Sequence, residues 1–307
     1  MLRRIKLLYI IYNIFHWKRL RQNLPFYKIL DIKKFYFSPI SSKDFLDKDE
    51  SMINHLKTKL EIQNTSIFKK VSKEEKDSLL NFNNKGFSIL KQYINKDKID
   101  EINLEIQKSF EKKEINFHYK NKIMFAFKKI QSLNKIANDT KLVELFSSLL
   151  SDKATPFQSI NFFTGSEQNT HSDSIHMTTF PLGGLLGVWI ALEDIDIDNG
   201  PLHYYPSSHK IPYFFNKEYE NEGNYFLLGN KGYTEYEKMI STKIEDYNLT
   251  KKIFTAKAGD IIIWHANLLH GGEKHLNTSK TRKSVVFHYY AKNSICYHEI
   301  TQRPTLF

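Results

Sequence analysis

Cysteine is nearly absent from this sequence, since Cys296 is the one cysteine among 307 residues. A lone cysteine forms no internal disulfide and builds no cysteine-based zinc site, and its scarcity fits a reducing compartment. Long apolar runs are also missing. The apolar and aromatic stretch at residues 7–15 is too short to cross a bilayer, which needs about 20 apolar residues. No small-residue cleavage site follows it, so we expect a cytoplasmic protein rather than a secreted one.

Acidic residues are scarce at the N-terminus, where the first 34 residues carry nine basic side chains and one acidic side chain, Asp31. Most of the formal net charge of +11 therefore lies in this segment. Because the remainder is nearly balanced, the basic composition does not predict a nucleic-acid partner. Two interpretations of residues 1–34 stay open. They form a basic, aromatic helix at the inner face of an anionic membrane, or a helix docked on the protein with solvated charges.

The remaining composition is that of a globular chain, with 41% hydrophobic and 14% aromatic residues and no repeats. Apolar periodicity predicts helices from Asn95 or Asp97 to Phe110 and over residues 133–150, with a further helix near 217–240. Short strands are predicted at 86–91, 157–163, 187–193, 202–205, 252–256, 260–265 and 284–290. We therefore predict a mainly β domain with flanking helices at 84–307, preceded by a basic, partly helical extension at 1–83. The aromatic segment 210–250 is either a lid or a packed insertion.

A metal site is predicted from three residues. In His171-Ser172-Asp173, the first and third side chains would point to one face of a regular strand. His270 follows the predicted strand at 260–265 and is a candidate third ligand. Two histidines and one carboxylate are the facial triad of non-haem iron oxygenases, in which three coordination positions stay open. A lone His-x-Asp pattern is common by chance, and most of the 12 histidines are expected to be structural; His176 could line the same pocket.

Several ordered motifs make this interpretation more specific. They are His171-Ser-Asp173, the run at 189–202, Pro206-Ser-Ser-His209, the run at 257–265, Leu268-Leu-His270-Gly and Arg282. Over residues 84 to 293 the chain resembles the phytanoyl-CoA dioxygenase family of iron(II)- and 2-oxoglutarate-dependent oxygenases. The resemblance implies a double-stranded β-helix (jelly-roll, cupin-like) with iron held by His171, Asp173 and His270 at its mouth.

The resemblance also implies roles for cosubstrate residues. Arg282 would pair with the distal carboxylate of 2-oxoglutarate, which suits the planar fork of a guanidinium. Trp189, Gln158 and Lys129 would contact the same cosubstrate. Many family members carry a hydroxyl residue two positions after the second histidine, whereas this chain has Gly272 there.

The expected activity is an oxidation that uses Fe(II), 2-oxoglutarate and O₂, with ascorbate as a reductant. Related halogenases replace the metal carboxylate with a small residue, so the presence of Asp173 favours hydroxylation or another oxidation over halogenation. The expected substrate is a small molecule, or one linked to a lipid or to the cell envelope. Desaturation, epimerisation or ring formation on the same iron stays open, as does a non-catalytic β-barrel that binds a metabolite. The sequence predicts no oligomeric state.

Overall fold

The structure is a computed structural model that describes residues 2–57, 60–118 and 121–306. Helices dominate its first half and strands its second half. The α-helices are α1 (Lys6–Phe15), α2 (Trp17–Leu20), α3 (Leu24–Ile29), α4 (Ser51–Asn54), α5 (Lys73–Leu80), α6 (Phe82–Lys85), α7 (Lys96–Glu111), α8 (Gln131–Ala137), α9 (Thr140–Leu150) and α10 (Tyr233–Asp246). The strands are β1 (Phe87–Leu90), β2 (Lys122–Met124), β3 (Ala154–Phe162), β4 (Thr178–Phe180), β5 (Leu185–Ala191), β6 (Leu202–Tyr204), β7 (Lys252–Phe254), β8 (Ile261–His265), β9 (His270–Gly272), β10 (Ser284–Ala291), β11 (Ile295–His298) and β12 (Arg303–Pro304).

Three antiparallel sheets form from the described residues. The largest has the order β1-β8-β5-β10-β3-β2, and the two smaller ones have the orders β7-β6-β9 and β12-β11-β4. The β7-β6-β9 sheet is extended by a bridge between His171 and His270. Side chains from β5 and β8 pack against side chains from β6 and β7, including Trp189, Ile262, Leu202 and Phe254. The large sheet and the β7-β6-β9 sheet therefore enclose an apolar interior, as in a jelly-roll.

The second face of the large sheet is covered by helices. Leu186, Val188 and Ile190 of β5 alternate with Trp189 and pack in the core that contains α7, α8 and α9. Because both faces of β5 are covered, all seven of its residues are buried. This explains why the run at 187–193 lacks the polar alternation of a half-exposed strand.

The N-terminal extension packs on the domain. Phe26, Phe45 and Ile53 form one apolar cluster with Phe180 and Tyr297 of the β12-β11-β4 sheet. The buried Glu299 carboxylate accepts hydrogen bonds from the backbone N–H and the hydroxyl of Ser42, each at 2.9 Å. None of the described helices has both the length and the apolar character needed to cross a membrane.

The predicted helix over 133–150 is wrong as a single element, because the structure divides it into α8 and α9. The side chain of Asp139 accepts the backbone N–H groups of Lys141 and Leu142 at 3.1 and 3.0 Å, which starts a new helix at this point. The predicted start of the preceding helix is confirmed, since Asn95 caps α7 by accepting the Lys98 N–H at 3.0 Å.

The aromatic segment that follows β6 is a packed insertion over most of its length. Phe214 and Tyr219 are buried with Tyr236 and Ile240 of α10 in one cluster. Tyr225 and Phe226 are the most exposed of its aromatic side chains, at 88% and 73%.

Candidate metal centre

Three side chains converge at one end of the jelly-roll. The His171 and His270 backbones pair in a β-bridge, and Asp173 begins a single 3-10 turn after the extended residue Ser172. The Asp173 Oδ1 atom lies 4.0 Å from His171 Nε2 and 3.8 Å from His270 Nε2. One ligand atom from each residue lies within 4.8 Å of the others, and all three residues are buried. The structure thus brings together the triad that the sequence predicted.

The backbone that presents His171 and Asp173 differs from the prediction. A regular strand was expected, whereas His171 is in an isolated bridge and Asp173 is already in a turn. The regular strand was therefore a wrong prediction. The His171 and Asp173 side chains still point to the same side of the backbone. The residue between them, Ser172, is extended, with φ −107° and ψ 149°.

The backbone also fixes which nitrogen of each imidazole faces the centre. His171 Nδ1 lies 2.9 Å from the carbonyl oxygen of Asn169, and His270 Nδ1 lies 2.9 Å from that of Leu268. A carbonyl only accepts, so each Nδ1 carries the proton and donates, and each Nε2 presents its lone pair to the centre. The Gln168 amide donates to the His171 Nε2 atom at 3.0 Å, the position that a metal would take. Burial, followed by the nearby His270, lowers the pKa of His171 to about 3, so its ring is neutral at physiological pH.

Asp173 is oriented by partners on its other oxygen. The indole Nε1–H of Trp264 donates to Asp173 Oδ2 at 2.7 Å, and His288 Nε2 lies 3.5 Å from the same oxygen. Burial acts to raise the pKa of Asp173, but His270 and His288 hold it well below its usual range. The carboxylate is therefore ionised, with Oδ1 turned towards the two histidines.

A glycine makes room for the indole that orients Asp173. Gly187 of β5 lies opposite Trp264 of β8 in the strand register. A Cβ atom at Gly187 would lie 2.2 Å from Trp264 Cε2, which is far inside van der Waals contact. The Trp264 indole therefore fits against β5 because residue 187 has no side chain.

Arg282 lies in the same cavity as the triad, a space of about 420 Å³. Its side chain is 2% exposed, and it donates from Nε to the Gly200 carbonyl at 3.1 Å and from an Nη atom to Ser284 Oγ at 2.7 Å. Burial lowers its pKa to about 10, so it stays protonated at neutral pH. Among the described residues no carboxylate lies within ion-pair distance of it. A buried cation without an anion is costly, so this cavity suits an acidic ligand.

Two of the three other predicted cosubstrate residues lie in the cavity. Trp189 and Gln158 line the cavity. The Trp189 indole lies 5.1 Å from the Arg282 guanidinium carbon, and its buried Nε1 has no hydrogen-bond partner in the described part of the chain.

The structure does not bring Lys129 to this cavity. Lys129 is exposed, and its Nζ donates to the Glu114 carbonyl. It follows the 3-10 turn at Ala126–Lys128, whose Ala126 and Phe127 pack in the core with α7, α8 and α9 rather than in the cavity. Lys122 of β2 lines the cavity instead, with its Nζ 2.9 Å from Gln168 Oε1.

Several cavity residues lie outside the predicted ligand set. His176 and His298 line the cavity, and their ring centroids are 5.3 Å apart. Burial lowers the pKa of His298 to about 4 and that of His176 well below its usual value. Tyr233 of α10 lies 4.8 Å from the His176 ring. These uncharged polar groups lie beside the triad, since the His171 and His176 centroids are 6.2 Å apart.

The hydroxyl group missing at Gly272 has a counterpart from another segment. A Cβ atom at Gly272 would lie 2.4 Å from Ser166 Oγ, and Ser166 lines the cavity. Ser166 therefore occupies the space into which a serine or threonine at position 272 would extend.

The fold agrees with that of solved non-haem oxygenases. The 2-oxoglutarate-dependent carbocyclase SnoK from nogalamycin biosynthesis matches with a TM-score of 0.60 at 14% identity, over 74% of this chain and 87% of that chain. EctD from S. alaskensis, solved with 2-oxoglutarate and 5-hydroxyectoine, matches with a TM-score of 0.55 at 16% identity, over 76% and 82% of the two chains. The predicted double-stranded β-helix is thus confirmed.

The family assignment follows from the sequence match. The phytanoyl-CoA dioxygenase (PhyH) family matches residues 82–284, and the chain belongs to this family. The phytanoyl-CoA dioxygenase domain-containing protein 1 of Danio rerio is 35% identical over 83 residues, which is 27% of this chain and 28% of that protein. The phytanoyl-CoA dioxygenase of Arabidopsis thaliana is 30% identical over 173 residues, which is 55% of this chain and 56% of that protein.

Proposed function

We propose that this protein is an Fe(II)- and 2-oxoglutarate-dependent dioxygenase that hydroxylates a C–H bond of an organic substrate. One observation carries the proposal. A buried, pre-oriented His-Asp-His triad shares a cavity with Arg282, a cation that has no described carboxylate partner. Two imidazole nitrogens and one carboxylate oxygen are the donor set of non-haem Fe(II), and the arginine suits a dicarboxylate.

The reaction balances with one cosubstrate. The substrate R–H, O₂ and 2-oxoglutarate give R–OH, succinate and CO₂, and ascorbate keeps the metal reduced between turnovers. O₂ supplies the oxidising equivalents and takes two electrons from 2-oxoglutarate and two from the substrate. Bound iron would supply the O₂ activation.

The side chains of this chain bind and orient the reactants. His171, Asp173 and His270 would hold the metal. Arg282 anchors the distal carboxylate of 2-oxoglutarate, with Trp189 beneath its guanidinium. The apolar side chains of the cavity wall, which include Ile160, Phe162 and Val286, exclude water from the reacting groups.

We place the substrate beside His176, His298 and Tyr233. These residues are uncharged at neutral pH and offer hydrogen-bond donors and acceptors near His171. They suit a polar but uncharged group of the substrate, whose reactive carbon would then lie over the triad. A small molecule and the exposed part of a lipid-linked molecule both meet this description.

The test is made first without a substrate. Under anaerobic conditions, Fe(II) and 2-oxoglutarate added to the protein should produce the visible charge-transfer band of a chelated 2-oxo acid. A screen of candidate metabolites in air should then detect succinate, and the product mass should rise by one oxygen atom. An unchanged product mass with succinate formed would indicate epimerisation, and a loss of two hydrogen atoms would indicate desaturation or ring closure. If neither the band nor succinate appears, the proposal is wrong.

We further propose that Ser166 donates a hydrogen bond to bound 2-oxoglutarate in place of a hydroxyl residue at position 272. Replacing Ser166 with glycine should raise the KM for 2-oxoglutarate at least about tenfold, because one hydrogen bond to an ionised carboxylate contributes about 1.5 kcal/mol or more. Gly272→Ser alone should raise it further, because its Cβ would lie 2.4 Å from Ser166 Oγ. The double variant should recover part of this loss, although the Glu167 N–H at 3.0 Å from the new Cβ still crowds it.

The two single changes and the double change form a thermodynamic cycle. Additive increases in KM would contradict a shared position for the two hydroxyl groups. Recovery in the double variant would support it, and thermal unfolding of all four proteins shows whether any change acts through stability.

A further inference from the structure

Helix α1 presents its apolar side chains outwards. Its buried residues are Lys6 and Asn13, and the Asn13 amide donates to the Phe37 carbonyl at 2.8 Å. The exposed side chains are Leu7, Leu8, Ile11, Tyr12, Ile14 and Phe15, the last of them 81% exposed. With 3.6 residues per turn, these six lie within an arc of about 160°. A surface helix normally turns its apolar side to the core, so this orientation is reversed.

A second exposed element adjoins the start of α1. The Lys6 N–H donates to the Phe226 carbonyl at 3.0 Å, and Ile5 pairs with Leu227 in a β-bridge. Phe226 and its neighbour Tyr225 are 73% and 88% exposed. Helix α1 and this loop thus form one surface, which we call the apolar face and define as the six α1 residues above together with Tyr225 and Phe226.

Basic residues flank the apolar face. Arg3 precedes α1, while Lys18 and Arg21 follow it, and all three are exposed. No acidic residue occurs in the first 30 residues of the sequence. Near the loop, Glu220 pairs with Lys231 at 3.2 Å, which offsets its charge.

We propose that the apolar face docks on an anionic phospholipid bilayer, with α1 lying in the plane of the interface. An apolar stripe flanked by lysine and arginine is the pattern of an interfacial helix, and its cations attract acidic headgroups. Tyr12, Trp17 and Tyr225 are of the amphipathic aromatic type that settles at headgroup level. The ten residues of α1 are too few to span a bilayer.

Docking at this surface bears on the substrate. The loop that carries Tyr225 and Phe226 leads directly into α10, whose Tyr236 hydroxyl lies 3.2 Å from Ser172 Oγ in the metal motif. Tyr233 of the same helix contacts His176 in the cavity. A membrane-bound loop is thus followed in sequence by the helix that borders the site. This part rests on the proposed function, and it assigns the substrate to molecules carried by the bilayer.

The experiment is flotation of the full-length protein with phosphatidylcholine vesicles, with and without phosphatidylserine. We expect the protein to float only with the vesicles that contain phosphatidylserine. Raising the salt concentration should release it from them. Phe15→Ser combined with Phe226→Ser should lower the bound fraction at least about tenfold, since both rings leave the acyl boundary. Lys18→Glu combined with Arg21→Glu should lower it at least about twentyfold, because each lost cation accounts for about fivefold.

Matched controls come from exposed residues outside the apolar face. Leu104→Ser with Leu276→Ser removes two apolar side chains that are 51% and 65% exposed. Lys108→Glu with Lys112→Glu reverses two exposed charges near the end of α7. Both controls should float as the parent does.

Two results would overturn the proposal. One is equal flotation, either of the parent and the apolar-face variants or on neutral and anionic vesicles. The other is a parent protein that does not float and is a dimer by light scattering. If Phe15→Ser with Phe226→Ser dissociates that dimer, a second copy covers the apolar face. The anaerobic charge-transfer band is recorded for every variant. Its absence in the parent contradicts the proposed function but not docking, because flotation needs no catalysis.

Discussion

Replacing Asp173 with alanine is expected to lower Fe(II) affinity at least about a hundredfold and to remove succinate formation. The variant loses the one anionic ligand of the triad and leaves two neutral imidazoles, which bind Fe(II) weakly. In the parent protein, Trp264 Nε1 lies 2.7 Å from the Asp173 carboxylate, and in the variant it would lose this acceptor. His270→Ala should give a similar loss. Anaerobic titration with Fe(II), followed through the 2-oxoglutarate charge-transfer band, measures the affinity, and succinate measures turnover.

His203→Gln is the matched control for these ligand variants. His203 is a buried histidine on β6, where its neighbour Tyr204 pairs with His270, yet its imidazole contacts Glu273 and Thr170 rather than the cavity. It should bind iron as the parent does. Equal iron affinity and equal succinate in the parent and in Asp173→Ala would rule out the triad as the metal site, provided that thermal unfolding shows both proteins folded.

Replacing Arg282 with alanine is expected to raise the KM for 2-oxoglutarate about a hundredfold, with a smaller effect on Fe(II) affinity. A charge-assisted pair between a guanidinium and a carboxylate is worth about 3 kcal/mol, and each 1.4 kcal/mol is a factor of about ten. Arg282→Lys should recover only part of this, because an ammonium cannot form the two parallel hydrogen bonds of a guanidinium. Initial rates of succinate formation across 2-oxoglutarate concentrations measure the effect.

Lys283→Ala separates this specific contact from a general loss of positive charge. Lys283 adjoins Arg282 in sequence but does not line the cavity. Its replacement should leave the KM unchanged. A further comparison uses 2-oxobutyrate, which lacks the distal carboxylate. If Arg282→Ala weakens 2-oxobutyrate as much as 2-oxoglutarate, then Arg282 does not bind that carboxylate.

The sequence predicts the triad because its signal is local and chemical. His171 and Asp173 are two residues apart, and His270 follows an apolar strand that a turn signal precedes. Strands β3, β5, β8 and β10 are also predicted from local signals, because their apolar runs are longer than those of typical loops. These elements needed no knowledge of long-range contacts. The prediction of a regular strand at 171–173 was wrong. An isolated bridge at His171 and one extended residue, Ser172, are enough to align the side chains of His171 and Asp173.

The residues that orient the ligands depend on tertiary contacts. His288 could have been found from strand periodicity. Arg282, Ser284 and His288 are at even-numbered positions in β10 and just before it, so they share one face of the strand. Trp264 also lies on a predicted strand, but its hydrogen bond to Asp173 crosses 91 residues of sequence. His298 carries no sequence signal, because β11 is a short strand between turns. Lys129 does not reach the cavity, because it follows a local 3-10 turn that apolar periodicity does not reveal and its side chain is exposed.

The glycine at position 187 ties iron binding to strand register. In the native pairing of β5 with β8, Gly187 lies opposite Trp264, and this gap lets the indole reach Asp173. A slip of one residue would place Leu186 or Val188 under the indole and separate it from the carboxylate. Only the native register then supplies the Trp264 hydrogen bond to Asp173. Under the proposed function, iron bound at the triad would therefore favour that register through its binding free energy. The proposed metal would thus couple the pairing of two strands to the occupancy of the site.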